Sequence, residues 1–333
     1  MVDLRHTFRS PNAAAATGLI GLSSICFGVV PLFARHLLDE GLTAEVIAIY
    51  RFGLSALIVL PFMRLNRHKL RQALLLFATG LVMGLGWSSY IRAIEVAPLA
   101  SAGIIYMTYP LFAVIFARLL LGQRLTTRAL MAVSLVLGAA VIALSPSAPE
   151  PDQFGALLRS LPAPVTFALI VVVLAALTSR LHVLERVGCG MAGAVAGLLP
   201  SVLAADNTVL VPGSAGTWAL IAGMVVVTAT GPQLLYVFAA PKVGTSRAAV
   251  AGALELPTMI AVGWLAFAEA IGPADFVAAI LIAAAVATAP PIVRTAPNSA
   301  SNALAAGARR RRRAFKALGR NAPSLRRGHR AAA

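Results

Sequence analysis

The residues of this chain that could do chemistry lie in the middle of one long apolar stretch. Residues 246–268 contain a single acid, Glu255, two positions before Pro257. As a helix rising about 1.5 Å per residue, the stretch would span roughly 34 Å, slightly more than the ~30 Å hydrocarbon core of a bilayer. Glu255 would then lie near the midplane, where a charge costs at least roughly 3 kcal/mol and usually marks a substrate or proton path. The alternative is a buried structural ion pair beside an ordinary proline kink.

Two properties of this stretch point to ion or proton handling. Proline has no N–H to donate, so Pro257 should leave the carbonyl of Ala253 without its helical partner. Burial disfavours the charged form of a carboxyl group, and every histidine of the chain falls outside the predicted spans: His6, His36, His68, His182 and His329. Glu255 is therefore predicted to exchange a proton or to bind a cationic group of a substrate.

An arginine and several aromatic residues are candidates to complete the site. Arg51 lies about six residues inside its predicted span, where it could hold a substrate carboxylate or pair with Glu255; alternatively, its long side chain reaches outward to the interface. Buried tyrosine hydroxyls need hydrogen-bond partners, and the predicted substrate-binding tyrosines are Tyr90, Tyr106, Tyr109 and Tyr236, with Gln233 one turn before the last. Trp87 and Trp264 could line the same cavity or anchor span ends at the interface.

The composition indicates that the elements that hold these residues are membrane-spanning helices. The chain is 59% hydrophobic and only 12% charged, about half the charge of a soluble domain. Stretches of about 20 apolar residues indicate transmembrane helices, and ten are predicted, at about 16–34, 45–63, 73–91, 99–121, 127–145, 160–179, 187–204, 217–239, 246–268 and 274–293. The predicted fold is an all-α polytopic membrane protein.

The positive charges predict the orientation of these spans. Lysine and arginine concentrate in every second loop and in both termini, and this basic side is expected to be cytoplasmic. The other side holds most of the acids and only four basic residues, Arg35, Arg51, Arg92 and Arg159. Both termini are therefore predicted to be cytoplasmic, in the cytoplasmic membrane, which requires an even number of spans.

Landmarks also recur along the chain. Tyr90 and Pro110 are echoed by Tyr236 and Pro257, at offsets of 146 and 147 residues. This predicts two repeats of five spans, and because five is odd the second repeat would enter the membrane in the opposite sense. Pro110 and Pro257 are predicted hinges. The predicted segments are a cytoplasmic N-terminus (1–15), the first repeat (16–145), an external linker (146–159), the second repeat (160–293) and a basic, disordered cytoplasmic tail (294–333).

Several blocks of sequence resemble a known family. They are Phe27 and Gly28, the YRF at 50–52, the APLASAGIIYMTYPLFAVIFARLLLGQRLT at 97–126, and the GALELPTMIAVGWLAFAEAIGP that closes the second copy. Together they resemble the EamA-type repeats of the drug/metabolite transporter superfamily, although the family usually has Glu where this chain has Gln123. The resemblance implies ten helices in two inverted halves and the export or import of amino acids, metabolites, nucleosides or drugs.

Other motifs carry little functional information. GCGMAG at 188–193 fits a dinucleotide-binding pattern but lies among apolar helices rather than after a strand. The pairs Gly80/Gly84 and Gly193/Gly197 fit close helix packing. Neither nucleotide-hydrolysis nor zinc-protease motifs occur, so no enzyme activity, metal or cofactor is predicted. Eleven of the 28 lysines and arginines lie in the tail, which could attract anionic lipid headgroups or simply enforce topology; nucleic acid is not predicted as a partner.

These observations predict a secondary active transporter, a proton-coupled exporter of a small metabolite, amino-acid-like compound or drug that works by alternating access. The first alternative is a membrane protein that binds a ligand or lipid without transporting it. A membrane enzyme is disfavoured because the predicted spans offer no second acid, histidine or metal cluster. The oligomeric state is open, with a homodimer as one candidate.

Overall fold

The computed structural model describes residues 13–94, 105–144, 151–204, 210–268 and 271–289, and all regular secondary structure in those ranges is helical. The all-α prediction is therefore confirmed for the described residues. The predicted tail, residues 294–333, lies outside them. The described helices of the first half are α1 (Ala13–Gly28), α2 (Val30–Asp39), α3 (Ala44–Val59), α4 (Arg67–Ile94), α5 (Tyr109–Leu121) and α6 (Thr127–Leu144).

The second half continues in the same way. Its described helices are α7 (Pro151–Arg159), α8 (Pro162–Ala176), α9 (Val183–Leu203), α10 (Ala215–Val225), α11 (Gly231–Val243), α12 (Thr245–Gly252), α13 (Glu255–Phe267) and α14 (Pro273–Thr288). A π-helical segment, Val226–Thr230, joins α10 to α11. Helix α8 is apolar on all sides, and most of its residues are buried among the other helices, so it lies in the centre of the packing.

Seven helical stretches in the described residues are long and apolar enough to cross a membrane: Ala13–Asp39, Ala44–Phe62, Arg67–Tyr90, Phe154–Ala176, Val183–Leu203, Ala215–Val243 and Thr245–Phe267. Three shorter apolar helices, Tyr109–Leu121, Thr127–Ile142 and Pro273–Thr288, stand where the fourth, fifth and tenth spans are predicted. Large aliphatic side chains remain uncovered on the helix surfaces, as with Leu119 at 70% and Leu265 at 73% exposure. Such surfaces are stable against lipid tails, and the chain is a multi-pass membrane protein.

Several helices run beyond the predicted spans. The first continues to Asp39, so His36 lies within α2, and the third begins at Arg67, so Lys69 lies within α4. Residues 151–159, predicted as part of a linker, form α7. The reason is physical: hydropathy detects only the apolar part of a helix, whereas backbone hydrogen bonding continues into its charged ends.

Four spans are interrupted, each just before a proline. The helical pattern stops at Val29, at residues 107–108, at 160–161 and at 253–254. Proline follows within three residues each time, at 31, 110, 162 and 257, because the ring removes a donor and clashes with the preceding turn. The interruptions therefore fall within the first, fourth and ninth predicted spans and at the start of the sixth.

The tightest helix contact in the described structure pairs two glycine motifs. A Cβ placed on Gly84 would overlap the carbonyl oxygen of Ala194, and one placed on Gly193 would overlap the carbonyl oxygen of Phe77. Helices α4 and α9 thus touch backbone to backbone, as small residues allow. The packing interpretation of both glycine pairs is confirmed, and residues 188–193 lie inside α9 rather than after a strand.

A charged contact fixes the same two helices at one end. The carboxylate of Glu185, in the first turn of α9, accepts hydrogen bonds from Lys69 Nζ at 2.6 and 2.8 Å. The backbone N–H groups of Arg64 and His182 also donate to it, at 3.3 and 2.8 Å. Glu185 is only 2% exposed, against 25% for Lys69. The buried carboxylate therefore depends on a partner that solvent can still reach.

We expect Lys69→Met to lower thermal stability by about 2 kcal/mol. Removing one member of a buried pair costs roughly 3–5 kcal/mol, but the two backbone donors and the partial exposure of Lys69 reduce the loss. Thermal unfolding in detergent measures it. The control is Arg71→Met, an exposed position on the same helix. Adding Glu185→Gln should restore part of the stability, and equal melting temperatures for Lys69→Met and the control would contradict the prediction.

Candidate functional site

Glu255 is the first residue of α13, directly after the interruption of the ninth predicted span. Because Pro257 has no N–H, the carbonyl of Ala253 needs another hydrogen-bond donor, and the interruption supplies one. The carbonyl of Ala253 is not left free, because the N–H of Leu256 donates to it at 3.0 Å in a tighter turn. The carbonyl of Ala249 also loses its helical partner, since the N–H of Ala253 turns to Val250 at 3.1 Å.

Tyr109 satisfies that carbonyl from the opposite half of the chain. Its hydroxyl donates to the carbonyl oxygen of Ala249 at 2.9 Å. The approach requires a glycine at position 252, because a Cβ there would overlap the Tyr109 hydroxyl. The two interrupted spans are thereby joined at their breaks, at the start of α5 and the end of α12.

The first-half interruption is built in the same way. The N–H of Thr108 donates to Ile105 at 3.0 Å, and the N–H of Leu111 donates to Thr108 at 2.9 Å, so the chain makes tight turns on both sides of the break. Pro110 then occupies the first turn of α5, where a missing N–H costs nothing. Pro110 and Pro257 thus each follow a break in a helix; their role as hinges stays a prediction.

Glu255 lies deep within the helices but is not fully covered. Within the described part of the chain its carboxylate makes no hydrogen bond and no ion pair. It lies close enough to interact electrostatically with Arg51, Tyr90, Tyr106 and Tyr109. The other acids with described side chains lie at helix ends or in a loop, so Glu255 is the mid-span acid of that part of the chain.

Arg51 points into the protein rather than out to the interface. Its Nη2 donates to the carbonyl of Thr228 at 2.9 Å, within the π-helical segment. The guanidinium also lies over the rings of Phe27 and Phe52, at 5.9 and 5.4 Å from their centroids, in the range of cation–π attraction. Its Nε is buried without a hydrogen-bond partner in the described structure. Arg51 therefore keeps a free donor in this interior.

Three of the predicted tyrosines, Tyr90, Tyr106 and Tyr109, form one aromatic cluster, and Tyr236 lies near it. Tyr106 lies at its centre, with ring centroids 5.5 Å from Trp87, 5.7 Å from Tyr90 and 5.8 Å from Tyr109. Tyr236 interacts electrostatically with Tyr106 and Tyr109 from α11. These spacings are typical of favourable aromatic pairs. The structure thus gathers four tyrosines from three spans around the carboxylate and the guanidinium.

Sequence reasoning missed one member of the cluster and included residues that stand apart. Phe167 of α8 packs against Tyr106 and Tyr109, with centroids at 5.7 and 5.0 Å. Gln233 is half-buried on α11, one turn before Tyr236, with no polar contact in the described residues. Trp264 is 52% exposed, as expected for an interfacial anchor. His36, which was not a predicted site residue, lies beside Phe267, at 6.3 Å between ring centroids, outside the cluster.

We expect Tyr109→Phe to lower thermal stability by about 1–3 kcal/mol, because a buried carbonyl without a donor costs that much. Tyr106→Phe is the matched control, since its hydroxyl makes no hydrogen bond within the described residues although its ring lies in the same cluster. Thermal unfolding of the two purified variants checks the expectation. A Tyr109→Phe variant that melts with Tyr106→Phe would show that the bond to Ala249 contributes little.

Comparisons with known proteins agree with this fold. One crystal structure superposes with a TM-score of 0.69, covering 83% of this chain and 96% of its own, at 18% sequence identity; this likeness concerns the fold alone. No curated protein matches the chain significantly in sequence. Residues 16–145 match the profile of the EamA-like transporter family. The resemblance seen in the sequence is thereby confirmed over residues 16–145, which are similar to the EamA-like transporter family of the drug/metabolite transporter superfamily.

Proposed function

We propose that the protein is a secondary active transporter that exports a small metabolite, amino-acid-like compound or drug across the cytoplasmic membrane in exchange for protons. Glu255 would bind the proton or a cationic group of the substrate. Arg51 would hold an anionic group, and Tyr90, Tyr106 and Tyr109, with Tyr236 and Gln233, would orient the bound molecule. The family match over residues 16–145 supports a transporter rather than an enzyme.

The observation that carries this proposal is the solitary position of Glu255 at a break in a helix. A buried carboxylate used only for structure would be paired or hydrogen-bonded, as Glu185 is with Lys69. Glu255 has neither partner in the described residues, while a guanidinium with a free donor lies within electrostatic range. Opposite charges that are not bonded to each other would each be available to a group of a bound substrate.

The packing of the helices supports two equivalent halves. Helix α1 packs against α11, α12 and α13, that is, the first span against the eighth and ninth. Helix α8 packs against α4 and α5, that is, the sixth span against the third and fourth. Helix α4 packs against α9, that is, the third span against the seventh, and α10 packs against α3, the eighth span against the second. The contacts of α3 with α9, α5 with α12 and α6 with α14 join equivalent spans across the two halves.

Such a pattern is expected for ten spans in two five-helix repeats, which would be inverted because each repeat has an odd number of spans. The breaks before Pro110 and Pro257 fall at matching places, 147 residues apart. Bending at Pro110 and Pro257 would let the two halves alternate in opening the site. The distribution of lysine and arginine would place both termini in the cytoplasm, and the basic tail would lie near anionic lipids.

A second candidate function is binding of a ligand or lipid without transport. The same enclosed cluster of aromatic rings and opposite charges favours it, because those groups would retain a ligand equally well. A homodimer is compatible with either function. The two candidates differ in whether a bound molecule crosses the membrane.

The experiment that tests the proposal has two stages. Metabolites in the medium of cells with and without the protein are compared, and the compound that differs is offered to purified protein in liposomes. Saturable flux that rises with an imposed pH gradient supports a proton-coupled transporter. Saturable binding without flux favours the second candidate, and chemical conversion of the compound would indicate an enzyme.

A further inference from the structure

A second polar site lies away from the aromatic cluster, in a cavity of about 390 Å³ between α4, α7 and α9. Its lining includes two arginines, Arg92 and Arg159, and three serines, Ser88, Ser89 and Ser201. None of its lining residues in the described structure is acidic. A cavity with this lining stands out in a chain whose helices are otherwise mostly apolar.

The two arginines are free to bind a ligand. Arg92 is in the last turn of α4 and Arg159 ends α7, and both are exposed. Neither makes a hydrogen bond or ion pair within the described residues. Arg159 folds back over its own helix, so that a Cβ on Gly155 would lie 3.4 Å from its Nη2. Two guanidinium groups at one cavity attract an anion, and their fork of donors matches the oxygens of phosphate or carboxylate.

The serines form a floor that accepts hydrogen bonds. Ser88 and Ser201 are buried with their hydroxyl oxygens 2.7 Å apart, and backbone carbonyl oxygens lie 3.2 Å from the first and 2.9 Å from the second. One hydroxyl donates to the other and the other donates to its carbonyl, so both protons are used within the protein. Ser89 donates to the carbonyl of Gly86 at 2.6 Å. Because a hydroxyl has one proton but two lone pairs, what remains for a ligand is acceptor capacity. A ligand that carries hydroxyl donors as well as a negative group therefore fits this lining best.

The cavity is distinct from the site around Glu255. Ser88, Ser89 and Arg92 lie on one face of α4, whereas Trp87 and Tyr90 point from another face into the aromatic cluster. Helix α7 lies along the boundary, since its Leu157 packs against Tyr90 while Ala156 and Arg159 line the cavity. A ligand in the cavity would therefore not displace the tyrosines.

We propose that this cavity binds a hydroxylated organic anion, whose phosphate or carboxylate pairs with Arg92 and Arg159 while its hydroxyl groups donate to the serines. The headgroup of an anionic phospholipid and a free polyol phosphate share this chemistry. The proposal does not depend on transport, because it concerns a different face of α4.

Two probes distinguish a free anion from a lipid headgroup as the ligand of this cavity. Glycerol 3-phosphate, titrated calorimetrically into the purified full-length protein, represents the free anion. Phosphatidylglycerol, compared with phosphatidylcholine in nanodiscs by native mass spectrometry of the lipid retained, represents the headgroup. The variants are Arg92→Gln, Arg159→Gln and the double variant. Arg71→Gln is the matched control, an exposed arginine at the opposite end of the same helix.

We expect each single variant to weaken binding about tenfold, the usual value of one charged hydrogen bond, and the double variant to abolish it. Arg71→Gln should bind as the wild type does. Binding of glycerol 3-phosphate identifies a free anion as a ligand, and selective retention of phosphatidylglycerol alone identifies the lipid. The proposal is overturned if neither probe binds the wild type, or if a double variant that elutes as a single species binds with unchanged affinity.

Discussion

Replacing Glu255 by glutamine is expected to abolish gradient-driven accumulation of the substrate without unfolding the protein. The amide has the shape of the acid but cannot exchange a proton, so inward proton movement can no longer drive outward movement of the substrate. The fold should tolerate the change, because the carboxylate makes no hydrogen bond within the described residues. Removing a charge from the middle of a span should also relieve part of its insertion cost.

The expected loss of accumulation can be calculated from the exchange of one proton for one substrate molecule. A pH difference of one unit supplies about 1.4 kcal/mol per proton, which sustains a tenfold concentration ratio when one proton moves per substrate. Wild-type liposomes with the membrane potential clamped should approach that ratio, and Glu255→Gln liposomes should show no accumulation. Exchange of labelled for unlabelled substrate, which needs no net proton movement, should persist if Arg51 and the tyrosines still bind it.

The matched control for this experiment is Asp39→Asn, an exposed acid at the end of α2. It changes the same chemical group at a place far from mid-span and should accumulate substrate as the wild type does. A Glu255→Gln protein that reaches the wild-type accumulation ratio would refute the role proposed for this carboxyl group. Loss of both accumulation and exchange would instead assign Glu255 to substrate binding.

The sequence predicted the parts of this architecture that depend on rare residues in apolar surroundings. One acid, one arginine and a few tyrosines stand out within long apolar runs, and the structure brings Glu255, Arg51 and four tyrosines together. Pro110 and Pro257 predicted interruptions for an equally local reason, since a ring without an N–H cannot continue the hydrogen-bond ladder. The glycine pairs predicted close packing because only glycine lets two backbones touch.

What the sequence could not predict depends on contacts between distant segments. Phe167 carries no signal, because a phenylalanine among valines and alanines is unremarkable until Tyr106 and Tyr109 pack against it. Satisfaction of the Ala249 carbonyl by Tyr109 is a contact across 140 residues. The π-helical segment that offers the Thr228 carbonyl to Arg51 differs from an α-helix by a single register shift. Apolar periodicity does not report that shift.

The second large effect is expected from a single methyl group at Gly84. In an open part of a helix, Gly→Ala stabilises by roughly 0.5–1 kcal/mol because alanine loses less conformational freedom. At Gly84 the added Cβ would overlap the carbonyl oxygen of Ala194, a backbone atom that cannot rotate away. Helices α4 and α9 would have to separate, and overpacking of this kind costs about 1–3 kcal/mol or more.

Gly138 is the control that separates the gain from reduced conformational freedom from the cost of steric overlap. It lies within α6, a different apolar helix, and a Cβ at that position would meet nothing within 4 Å. Thermal unfolding in detergent should therefore show Gly138→Ala melting at or above the wild-type temperature and Gly84→Ala well below it. Gly193→Ala, which meets the carbonyl of Phe77 from the other helix, should resemble Gly84→Ala. If Gly84→Ala and Gly138→Ala change the melting temperature equally, the backbone contact between α4 and α9 cannot be what holds these helices together.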